Sequence, residues 1–182
     1  MTVKEFDEFV ERQRSGSSNE GQVNWERERD EWLAHLDALY ISIEAMLAKY
    51  ISSGSISIRY KPIDLNEEDI GSYQARQMIL RIGRQEVDLV PAGTRFIGFK
   101  GYVEVIGSAR KLSLVLANKN RVSTLPQVNV RILTGGIPQP EPAGPPDKIE
   151  WAWKILPRPP ERQLVELNRE NLFQVLMEVT NG

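Results

Sequence analysis

The stretch Met46-Leu-Ala-Lys-Tyr-Ile-Ser-Ser-Gly-Ser-Ile-Ser-Ile-Arg-Tyr60 decides the fold. Before Ser52 the apolar residues recur every three or four positions, the period of a helix face. After Ser55 they recur every second position, the period of a half-buried strand. Ser52-Ser53-Gly54-Ser55 is the break between the two. The chain therefore passes once, at this point, from helix to sheet.

Reading backwards from the break, residues 25–50 form a long amphipathic helix. Asn24 is a good N-cap, and Glu26, Glu28, Asp30 and Glu31 place negative charge at the positive end of the helix dipole. Trp25, Trp32, Leu36, Leu39, Ile43, Met46 and Tyr50 make the apolar stripe, with Leu33, Tyr40 and Leu47 beside it. Such a face must be covered. One cover is the chain's own sheet. The other is a second copy or another protein, because the spacing also fits a coiled-coil seam. Further upstream, residues 1–22 read as an arm and linker. A short helix at 3–14 carries only Val3, Phe6 and Val10, too few to hold it alone in water.

Reading forwards, period-two sets appear at Ile56/Ile58/Tyr60, Met78/Leu80/Ile82, Val87/Leu89, Val103/Val105, Leu112/Leu114/Leu116, Val128/Val130/Ile132 and Ile149/Trp151/Trp153/Ile155. Gly83-Arg84, Ser108-Ala109 and Asn118-Lys119-Asn120 mark short connections between them. Tight turns imply an antiparallel meander. The expectation is an α+β, mainly β fold. Its core is an antiparallel barrel or sandwich of about seven to nine strands spanning 55–182, preceded by a helical segment at 23–51. Residues 134–147 hold five prolines and read as a projecting loop. Residues 168–181 close the chain as a helix, with Asn168 as N-cap and Leu172, Val175, Leu176 and Val179 as its apolar face. This order of elements is similar in outline to the pleckstrin-homology type of barrel, in which the last helix plugs an open end.

The 182 residues carry a net charge of −2, with 41% hydrophobic residues and no cysteine. That excludes a disulfide framework and a thiolate metal site. A single histidine, His35, excludes any site built from two. No apolar run approaches membrane-spanning length and the acidic start lacks a signal-peptide pattern, so the expectation is a cytoplasmic protein. The net charge hides a division. Residues 1–74 hold 8 Lys/Arg against 15 Asp/Glu, whereas residues 75–131 hold 10 against 3. Either the acidic front covers the basic middle, or each faces its own partner.

No phosphate-binding loop, dinucleotide fingerprint or nucleophile elbow occurs in the sequence. Glu67, Glu68 and Asp69 read as a solvated acidic loop, because adjacent acids cannot all face one ion. Trp151 and Trp153 share a strand face with Ile149 and Ile155 and read as core. The expectation is a non-enzymatic interaction module, an adaptor or accessory subunit without cofactor or metal. It would dock through Trp25, Trp32, Leu36, Leu39 and Ile43 on another protein or a second copy. The alternative is a nucleic-acid-binding accessory protein using Arg81, Arg84, Arg95, Lys100, Arg110, Lys111 and Arg131.

Overall fold

Asn24 caps the first helix as its side chain allows, accepting a hydrogen bond from the backbone N–H of Arg27 at 3.1 Å. This helix, α1, spans Trp25–Ser52 in a computed structural model of the protein that describes residues 24–94, 98–125 and 149–181. Glu26 and Glu28 in its first turn and Lys49 in its last complement the dipole. The strands are β1 (Ile56–Glu67), β2 (Gly71–Ile82), β3 (Gln85–Gly93), β4 (Gly101–Ile106), β5 (Lys111–Asn118), β6 (Trp151–Leu156) and β7 (Val165–Glu166). Helix α2 (Arg169–Asn181) follows, capped by Asn168, which accepts from Asn171 N–H at 2.9 Å.

The seven strands form one antiparallel sheet in chain order. The fold is thus α+β with a β meander. The sheet does not close, because β1 and β7 remain its edges, so the described residues form no barrel. The expected strand at Val128/Val130/Ile132, the arm at 1–22 and the proline loop at 134–147 lie outside the described residues.

Both helices cover the same face of the sheet. Trp32, Leu36, Leu39 and Ile43 of α1 and Leu172 and Val179 of α2 share one cluster with Met78, Leu89, Val105 and Leu114. The two helices meet where the Tyr50 and Phe173 rings stand edge to face, 5.6 Å apart. Helix α2 therefore lies beside α1 on the sheet and does not plug an open end. Each fully buried aliphatic side chain contributes roughly 1.5–3 kcal/mol, which is what holds the helices down.

This packing corrects the expected docking stripe. Trp32, Leu36, Leu39 and Ile43 are buried against the chain's own sheet, and of the five proposed contact residues only Trp25 stays substantially open, at 41%. The sheet's helix-facing side has to be covered by something, and a helix tethered four residues away reaches it before any partner in solution.

Among the described residues, the opposite face is covered at one end. Val115 and Ala117 pack with Phe99 and Leu164 beneath a crossing of two chain segments. These segments are joined by Leu164 N–H to Val122 O at 2.9 Å and Thr124 N–H to Arg162 O at 2.8 Å. Lys154, 4% exposed, points into this crossing and donates to the carbonyls of Lys119 and Arg121 at 2.9 and 2.6 Å. Among the described residues, no helix is long and apolar enough to cross a membrane.

Candidate functional site

Among the described residues, the basic side chains of the middle segment do not share a face. Lys100 lies on the helix side, 12% exposed, where it meets Glu31 at 2.6 Å and Glu28 at 3.8 Å and stands over the Trp151 ring. Arg110, also on that side, pairs with Glu178 of α2 at 3.0 Å. Lys111 lies on the other side and pairs with Glu104 at 2.8 Å. Arg81 and Arg84 are exposed around the β2–β3 turn. Arg95 and Arg131 lie outside the described residues. The division of charge thus has a partly internal explanation: α1 sets Glu31 against Lys100 and Asp37 against Arg76, the latter at 2.7 Å. Lys100 and Arg27 hold the Glu31 carboxyl below its ordinary value through hydrogen bonds. Burial, followed by the charge of Lys100, does the same to His35.

A polar part of the interior is a fork between β2 and β3. These strands pair from Ile82↔Gln85 to Met78↔Leu89 and then part. Beyond that point, among the described residues, Gly71–Gln77 pair with β1 alone, while Val90, Pro91 and Gly93 pair with β4 alone. The Tyr40 hydroxyl sits at the base of the fork, donating to Arg76 O at 2.6 Å with Leu89 O at 3.5 Å. At the open end, Glu67 accepts from the Tyr73 hydroxyl, from Thr94 N–H at 3.0 Å and from Thr94 Oγ1 at 2.6 Å. Gly93, at φ +104° beside a β-bulge, is required here: a Cβ would stand 2.9 Å from the Glu67 carboxyl carbon.

Glu67 is therefore not the solvated loop residue expected from Glu67-Glu68-Asp69. It is 9% exposed and ends β1 as a latch. Burial and the adjacent carboxylate push the Tyr73 phenol well above its ordinary range, so it stays a hydrogen-bond donor. Trp32 is fully buried alongside. Its N–H lies near the Tyr73 hydroxyl, but it makes no hydrogen bond of acceptable geometry among the described residues. Every oxygen of Glu67 is engaged, which suits a tether better than a catalytic base.

A concavity wide enough for a ligand lies elsewhere, between α2 and the connector Pro157–Glu161. It encloses about 450 Å³ over Leu112, Ile155 and Val175. Three prolines stiffen one wall, and Asn171, Gln174 and Glu178 of α2 make the other. Arg158 reaches across to Glu178 at 3.3 Å. Asn171 Nδ2 is committed to Glu166 O at 2.9 Å, which caps the β7 edge. The Gln174 amide has no partner among the described residues. Nothing in the sequence flagged this groove, because its walls come from separate segments and neither carries a motif. Comparison with known protein families, with curated proteins and with solved structures found no match to this chain.

Proposed function

We propose that this chain is a non-enzymatic interaction module, an adaptor or accessory subunit of the cytoplasm, and that it receives a short extended segment of a partner protein between α2 and the Pro157–Glu161 connector. The observation that carries this reading is the groove itself. Its volume falls in the range of small-ligand and peptide sites, and its floor is aliphatic. The uncommitted Gln174 amide is both a donor and an acceptor, which is the complement of an extended backbone. Helix α1, in this reading, is scaffold: its stripe is spent on the sheet. The nucleic-acid reading has less behind it, since Lys100, Arg110 and Lys111 are each neutralised by a carboxylate.

The test is an amide-resolved NMR titration of the full chain with N-acetyl-Val-Leu-Val-amide. Shifts confined to Val165, Asn171, Gln174 and Val175, and abolished by Gln174→Trp, are the expected result. Shifts that are absent at millimolar peptide, or scattered over the surface, would overturn the reading.

A further inference from the structure

We propose that the outer half of the β1–β2 hairpin, residues 62–76, is a flap that hinges at Pro62 and Arg76 and opens as a unit away from α1, uncovering Trp32. Four independent features lead to this. First, this half of the hairpin is a two-stranded ribbon: past Met78, β2 has no β3 partner, and among the described residues its strands are laddered only to each other. An isolated ribbon of that kind has little stability without side-chain anchors.

Second, the hinge is marked in both strands. Pro62 lies opposite Arg76, and the Arg76 carbonyl is turned away from β1 to the Tyr40 hydroxyl. The inward-facing alternation also changes phase here. Tyr73 and Ala75 are buried on one side of the hinge, Met78 and Leu80 on the other.

Third, the ribbon is held at its tip by Glu67, through Thr94 at the end of β3. Fourth, its seat on α1 is incomplete at one side: Tyr73 and Ala75 are buried, but an open recess of about 220 Å³ lies between Pro62, Gln74 and Ala75 of the ribbon and Leu33 and Leu36 of the helix. Beneath the latch lies Trp32, whose indole N–H has no hydrogen bond of acceptable geometry among the described residues. Opening gives that donor access to water or to a ligand and leaves the rest of the sheet paired. Local opening of such a unit costs less than global unfolding and is read directly by amide exchange.

Native-state hydrogen exchange of the full chain tests this. In the wild type, the cross-strand-bonded amides of residues 71–76 should exchange together, at least about tenfold faster than those of 78–82 in the same strand. Glu67→Gln removes the charge and replaces one of the two acceptor oxygens by an N–H₂. It should speed only the first set, by a further factor of about ten, the scale of one hydrogen bond to a charged group. If that variant does not fold, Tyr73→Phe removes a single hydroxyl from the latch and should give the same selective change. Equal rates across the two halves of β2 in the wild type, or acceleration of both halves alike, would overturn the flap.

Discussion

The Trp32 ring occupies the space that a side chain at position 101 would need: a Cβ added to Gly101 would overlap Cε3 and Cζ3 of the indole. Strand β4 begins at Gly101, so the widest residue of α1 is laid directly on the backbone of the sheet. Gly101→Ala should cost about 3 kcal/mol in urea denaturation, toward the upper end for overpacking a rigid neighbour. In a double-mutant cycle with Trp32→Leu most of that cost should vanish, because the overlapping ring is gone. Additive effects would place the strain elsewhere.

Opposite faces of α1 should respond in opposite ways. Leu39→Ala opens a cavity under the sheet and should cost about 2–5 kcal/mol. Ile41, two residues on and 68% exposed, should tolerate Lys within about 0.5 kcal/mol. Chemical denaturation of both variants separates a helix that serves the core from one whose buried stripe faces a partner.

The open edge of β1 carries its own protection. Lys61 and Pro62 fall mid-strand, where a charge and a missing N–H discourage a second chain from adding on. Lys61→Val combined with Pro62→Val should drive concentration-dependent self-association, visible by sedimentation. A variant that remains monomeric would mean that the edge is guarded by something other than these two residues.

Stability should fall on the acid side in two stages. The folded state depresses the His35 pKa, so it favours the neutral ring. That contribution is complete above the ordinary value of 6.5 and is lost as pH drops below it through the folded value. Glu31, held low by Lys100 and Arg27, adds a second loss beneath its ordinary value of 4.5. Melting temperatures recorded from pH 7 to pH 5 should decline, and His35→Gln should flatten that limb without affecting the one below it.

Much of the architecture was legible because it rests on periodicity and turn chemistry. Both caps, the change of period after Ser52, the turns at Gly83 and Ser108, and the inward face of Trp153 follow from local rules. Trp153 lies 5.9 Å from Trp32, and its N–H donates to His35 O at 3.1 Å. What the sequence concealed depends on three-dimensional neighbours. Lys154 alternates with Trp153 and Ile155, so it reads as an outward residue. It does point outward from the sheet, but into carbonyls supplied by a segment more than thirty residues earlier. Glu67 reads as one of three adjacent acids until Thr94 comes beside it. The role of the α1 stripe was open from periodicity alone, since a core-facing helix and a pairing helix share one pattern.

The contact between Tyr50 and Phe173 joins the last turn of α1 to the second turn of α2. Between them every strand pairs with its predecessor, so a chain emerging from the ribosome can add strands one after another. The floor formed by Val87, Val105 and Leu112 nevertheless stays only half roofed until α2 has been made. Vectorial synthesis therefore passes through a poorly protected moment just before the thirteen residues of α2 emerge, when the whole sheet exists and part of its apolar side is still bare.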